Sequence, residues 1–116
     1  SSVVIPDGVA FIERGTFSGC TNLSQVVIGS GVTRIREGAF GQCTRLPSVV
    51  IPDGVTLIEQ GAFAGCAGLT NVVIGSGVTG IGDFAFEDCT RLERVLVPAG
   101  VALIGQYAFG GCASLD

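Results

Sequence analysis

Lysine, histidine, methionine and tryptophan are all missing from this 116-residue sequence. Without histidine the commonest general base is gone, and with it the usual partner of a serine or cysteine nucleophile. All six cations are arginines (Arg14, Arg34, Arg36, Arg45, Arg91, Arg94), set against ten acidic residues for a net charge of −4. Nucleic-acid binding draws on a basic stripe that releases counterions. No such stripe is present, so nucleic acid is excluded as a partner. Charged residues make up only 14% of the chain and apolar residues 47%, which argues against disorder. No apolar run approaches the roughly 18 residues of a membrane span, so none is expected. Nor does the opening Ser-Ser-Val-Val-Ile-Pro-Asp-Gly read as a signal peptide, because it already lies inside a repeat.

What is present is a repeat of 23 residues. Cysteines stand at Cys20, Cys43, Cys66, Cys89 and Cys112, phenylalanines at Phe17, Phe40, Phe63, Phe86 and Phe109. Ile12, Ile35, Ile58, Ile81 and Ile104 keep the same spacing, as do Gly8, Gly31, Gly54, Gly77 and Gly100. A unit of this length with identically placed apolar residues is a supersecondary element stacked on copies of itself. The sequence therefore predicts one solenoid domain over residues 1–116, with five coils and no evident caps. That suggests either a segment of a longer array or a chain built to that length; a rarer reading is that the uncapped ends stack head to tail.

Within a unit, Val26-Val27-Ile28 is β-branched and bounded by turn residues, so it reads as a strand. Stacked copies predict one parallel sheet along a face, with neighbours roughly 4.8 Å apart. Pro-Asp-Gly, Gly-Ser-Gly or Pro-Ala-Gly follows as a turn. The final glycine suggests a left-handed backbone or a close approach between coils. The Phe40–Cys43 spacing suits one helical or 3₁₀ turn. Leu23, Val26, Ile28, Val32, Ile35, Phe40, Cys43 and their equivalents are predicted to face inward. Turn compositions alternate between odd and even units, and one position runs Phe11, Arg34, Leu57, Gly80, Leu103, suggesting duplication of a two-unit block.

Leu46, Val49, Ile51, Pro52, Val55, Ile58, Ala62, Phe63, Cys66 and Leu69 follow one another at the spacings of a known motif. The pattern resembles the leucine-rich repeats of the BspA-like (Treponema pallidum) class, and the resemblance covers the whole chain. It departs from the ordinary leucine-rich repeat in having glycine where that repeat carries asparagine or cysteine after the strand. The resemblance implies an α/β solenoid of the leucine-rich-repeat type, mostly short parallel strands with short helical or 3₁₀ turns. It also implies a surface or secreted protein that binds a partner protein, such as a host extracellular protein, and it carries no catalytic residues.

The middle residue of each strand, Val4, Val27, Val50, Val73 and Leu96, must face outward when its neighbours face in. The result is an aliphatic ladder flanked by Gln25, Ser48, Asn71 and Arg94, and an exposed apolar stripe of this kind marks partner surfaces. The opposing reading is that valine simply forms strands well and the rungs partly cover each other. Glu13, Arg36 and Glu59 share one position, and Arg14, Glu37, Gln60, Asp83 and Gln106 the next, which fits pairing across rungs on a solvated face. Thr33, Thr56 and Thr79 form a short row of the kind found on ice-binding solenoids, but the row ends in Ala10 and Ala102. The odd-numbered, single-position cysteine column reads as a small buried hydrophobe, because thiols in a straight line do not make a tetrahedral metal site. No catalytic residue, cofactor or metal is assigned. The function expected is non-catalytic recognition by a surface or secreted adhesin; the alternative is a structural spacer or self-assembling scaffold.

Overall fold

Two short strands form in each repeat, because two β-branched segments per 23 residues flank a glycine-containing turn. The computed structural model, which describes residues 1–115, winds these strands into a parallel β-solenoid of about four turns. The front wall carries β1 (Ser2–Ile5), β3 (Gln25–Ile28), β5 (Ser48–Ile51), β7 (Asn71–Ile74) and β9 (Arg94–Leu96). The side wall carries β2 (Phe11–Ile12), β4 (Arg34–Ile35), β6 (Leu57–Ile58), β8 (Gly80–Ile81) and β10 (Leu103–Ile104). The expected five coils appear on the side wall as one five-stranded sheet whose rungs are joined by those turns.

The core follows the expected inward positions. Val32, Ile35, Phe40, Cys43 and Leu46 are fully buried, as are Val55, Phe63, Cys66 and Leu69 one rung on. The terminal rungs, with one neighbour instead of two, are less covered: Phe17 and Phe109 are only partly buried. The five phenylalanines stack ring on ring, with centroids 5.2 Å apart for Phe17–Phe40, 5.1 Å for Phe40–Phe63, 5.2 Å for Phe63–Phe86 and 5.3 Å for Phe86–Phe109. Each stacked pair contributes about 0.5–1.5 kcal/mol beyond its burial.

The fold is not α/β. No helix forms among the described residues, and the segment around Phe40 and Cys43 is a run of turns. The reason lies in its hydrogen bonds. Ala39, Gly41 and Cys43 donate three residues back, to Arg36, Gly38 and Phe40. The alternate donors Gly38, Phe40 and Gln42 reach across to Gln60, Ala62 and Ala64 of the next rung. Left-handed backbones at Gly38 and Gln42 (φ 64° and 61°) also break any right-handed helical run.

Nor does the front wall form the one parallel sheet expected. It divides into β1–β3 and β5–β7–β9, with no ladder between β3 and β5. Ser24, Thr70 and Glu93 each donate their N–H to the preceding rung, to the carbonyls of Ser1, Pro47 and Thr70. The equivalent of these donors in the third repeat is Pro47, which has no N–H to give.

This break belongs to a wider alternation. From an odd to an even repeat the step is tight, and β1–β3 and β5–β7 each pair over four residues. Asp7 Oδ1 accepts the Ser30 N–H at 2.9 Å, and Asp53 Oδ1 accepts that of Ser76 at 2.9 Å. Gly31 and Gly77 lie so close under the Asp7 and Asp53 carbonyls that a Cβ on either would overlap them. From an even to an odd repeat the step is loose: β3–β5 has no ladder, and β7–β9 pairs over three residues. Gly8, Gly54 and Gly100 face no such crowding, and no glycine in this position has a left-handed backbone. The recurrent glycine thus reflects a close approach in two repeats only.

Gly31→Ala and Gly77→Ala are each expected to destabilise the protein by about 1–3 kcal/mol, because backbone must move to admit the methyl. Gly100→Ala, whose Cβ would meet nothing nearer than 3.8 Å, is expected to stay within about 0.5 kcal/mol of the parent. Urea denaturation of the three variants checks this, and equal losses at all three positions would remove the tight-step account.

Candidate functional site

The strand period places Val4, Val27, Val50, Val73 and Leu96 outward on the front wall while Val26, Ile28, Val49, Ile51, Val72 and Ile74 are buried behind them. The outward residues are 47–83% exposed, Val27 and Val73 least and Leu96 most. Gln25, Ser48, Asn71 and Arg94 are exposed beside them. Register brings Val4 opposite Val27, and Val50 opposite Val73 and Leu96. The ladder is therefore two runs rather than one.

Both loose steps open shallow grooves on this wall. The first lies between β3 and β5, with Val27 and Val50 as its apolar walls and Gln25, Ser48 and Pro52 around them. The second lies between β7 and β9, lined by Asn71, Val73, Arg94, Leu96 and Pro98. The nine residues expected to form the site thus divide mainly between two grooves two repeats apart, with Val4 on the outer strand. Open grooves of this shape can receive side chains of a partner, and they do not enclose a reacting group.

The charged face pairs as the sequence suggests. Arg14 reaches Glu37 at 3.2 Å and Arg36 reaches Glu13 at 3.6 Å. Glu59 lies 3.9 Å from Arg34 and 4.0 Å from Arg36. These pairs are partly solvated, so each contributes at most about 1 kcal/mol. The threonine row spends its hydroxyls on backbone: Thr33 donates to Ala10, Thr56 to Thr33 and Thr79 to Thr56, each at 3.2 Å.

The thiols also act as donors. Cys43, Cys66, Cys89 and Cys112 donate to the carbonyls of Phe17, Phe40, Phe63 and Phe86 at 3.1–3.3 Å. Burial, with smaller contributions from Cys112 and Asp88, pushes the Cys89 thiol up to about 12. The hydrogen bond with Cys43, then burial, raises that of Cys66. Protonated thiols bonded to carbonyls are core groups, unlike the thiolates that nucleophiles and metal ligands require.

One feature escaped the reading of the sequence. The position held by Gly15, Gly38 and Gly61 becomes Phe84 and Tyr107 in the last two repeats. The left-handed backbone persists, with φ 59° at Phe84 and 56° at Tyr107, and for bulky residues that conformation is rare. The two rings stack at 5.7 Å, and Tyr107 is 61% exposed. The signal was a departure from the repeat, which a search for what recurs passes over.

The model of the BspA-type leucine-rich repeat region matches residues 1–116 in six copies, one more than the five repeats read from spacing. Among solved structures, the leucine-rich repeat protein of T. pallidum is similar at 33% identity and a TM-score of 0.96, covering 99% of this chain and 56% of that one. A leucine-rich repeat protein from Bacteroides ovatus is 32% identical with a TM-score of 0.91, over 99% of this chain and 32% of its own. The pneumococcal vaccine antigen PcpA shares the fold at 21% identity and a TM-score of 0.79, over 99% of this chain and 29% of that antigen. This chain thus spans just over half of the T. pallidum protein and about a third of the other two. Among curated proteins none is similar enough to count as a match.

The buried thiols set a pH dependence. Their native ionisation lies above the ordinary 9.0, so the unfolded chain loses these protons first. Stability is then full below about pH 9 and falls as pH rises toward about 12, by about 1.4 kcal/mol per pH unit for each such thiol. Urea midpoints measured across that window should decline; a flat midpoint would refute the buried-thiol account.

Proposed function

The chain belongs to the BspA-type leucine-rich repeat family, and on that premise we propose that it is a non-catalytic protein-recognition module of a surface or secreted adhesin. The family is one of protein-interaction repeats and is generally non-enzymatic. The observation that carries the proposal is the pair of front-wall grooves, where Val27 with Val50 and Val73 with Leu96 stand exposed across the loose steps. Apolar contact there supplies affinity, because exposed aliphatic area is removed from water on docking. Gln25, Ser48, Asn71 and Arg94 differ from rung to rung and supply the polar contacts that distinguish one partner from another.

The partner class is an extracellular protein of a host, in keeping with the resemblance on which the surface placement also rests. The opened cleft between β3 and β5 favours recognition over a plain spacer, since a spacer gains nothing from unpairing two strands at the middle of its front wall.

The test is a triple substitution, Val27→Thr, Val50→Thr and Val73→Thr, with binding read by biolayer interferometry against purified extracellular-matrix and serum proteins. Thr keeps the strand preference and the branched shape, so stability should shift by less than about 1 kcal/mol. Any partner of the parent protein should bind the variant at least about tenfold more weakly. A partner held equally by both would move the site off the front wall.

A further inference from the structure

The stacked rings of Phe84 and Tyr107 have no role in the front-wall reading, and they lie on a different surface. Phe84 turns one face to Tyr107, whose ring is inclined to it by 15°. Its other face looks along the same axis toward Gly61, one rung earlier, and a Cβ at Gly61 would find open space save for Ala64 at 4.0 Å. An uncovered aromatic face therefore borders a shelf that has no side chain of its own.

The shelf is bordered by acids. The Asp83 carbonyl accepts the Gly61 N–H at 2.9 Å, which places Asp83 directly beside it. Glu87 stands in the same turn: its N–H donates to the Phe84 carbonyl at 3.1 Å, and its own carbonyl accepts the Gly65 N–H at 2.7 Å. Among the described residues, neither Asp83 nor Glu87 takes part in an ion pair. No three potential metal ligands lie close enough together to hold a metal ion.

The same solenoid shows what such a combination holds. In the first repeats Arg36 lies over the Phe11 ring, 5.7 Å from its centroid, while it reaches Glu13 and Glu59. Aromatic face and carboxylates there surround a guanidinium supplied by the chain. Around Phe84 the ring and the carboxylates recur and no arginine fills the place. An aromatic face attracts a cation through its quadrupole, best a planar guanidinium that can also bond carboxylates. We infer that the shelf bounded by Phe84, Asp83 and Glu87, with Tyr107 stacked behind, binds an arginine side chain of a partner polypeptide.

Tyr107 is the only tyrosine and there is no tryptophan, so tyrosine fluorescence reports this site alone. The probes are the capped tripeptides acetyl-Gly-Arg-Gly-amide and acetyl-Gly-citrulline-Gly-amide, which differ in charge and little in shape. The arginine peptide should change the emission saturably, less strongly as salt is raised, and the citrulline peptide should bind about fivefold more weakly or not at all. Asp83→Asn with Glu87→Gln should weaken the arginine peptide about fivefold, and so should Phe84→Gly. Neither variant threatens the fold: asparagine keeps the Oδ1 that accepts the Gln106 N–H at 2.7 Å, and glycine is the residue of three other repeats here. Equal binding of the two peptides, unchanged binding by both variants, or no saturable change would each overturn the inference.

Discussion

Hydrogen bonding between rungs is the constraint on which the rest of the structure depends. Every second donor of the turns reaches the neighbouring rung 23 residues away, as Phe17 does to Ala39 and Phe40 to Ala62, both at 2.7 Å. A backbone fixed at that spacing leaves each side chain directly over its counterpart. Like must then stack on like, because a column that mixed large and small residues would leave voids or overlaps. The phenylalanine stack, the cysteine column and the aliphatic core are three results of one constraint. The cysteines show how strictly it acts: a thiol is small enough to stack in this column and can still satisfy a phenylalanine carbonyl of the rung before.

The two-repeat alternation adds a second level. A glycine is required where Gly29 and Gly75 press on Pro6 and Pro52, since a Cβ there would overlap backbone. Odd repeats carry proline at the same position, followed in two of them by an aspartate that binds the turn above. Repeats therefore associate closely in pairs, and the looser contacts between pairs coincide with the front-wall grooves. The feature that makes the surface useful is a by-product of how the solenoid is assembled, with Pro47 adding one further loss of a ladder bond.

Much of this was legible in the sequence. Spacing alone identified the solenoid, the inward residues and the outward ladder, because a strict repeat transmits one unit's geometry to all. Two elements were not. Phe40 to Cys43 looks helical by spacing, but the donors that a helix would need internally go to the next rung, and only the stacked structure shows where they go. The broken front sheet was hidden for a related reason: Pro47 follows a leucine and precedes a good strand, and its missing N–H matters only once Ser24, Thr70 and Glu93 are seen donating from the same position. Phe84 and Tyr107 were passed over because attention to a repeat discounts its exceptions.

Those exceptions bear on specificity in a way that the repeated residues cannot. A surface that repeated perfectly would present itself identically at every rung, and a partner could shift along it by one repeat at no cost. The valines at 27, 50 and 73 have this property, since they are the same residue in the same setting. Affinity can come from them, but a unique register cannot. Register needs positions that differ between rungs: Gln25, Ser48, Asn71 and Arg94 on the front wall, and the replacement of glycine by Phe84 and Tyr107 elsewhere. The backbone tolerates these departures because they lie outside the stacked core, where neighbours impose no match. The solenoid thus separates two tasks in space, with stability in the columns that must agree and recognition in the positions left free to differ.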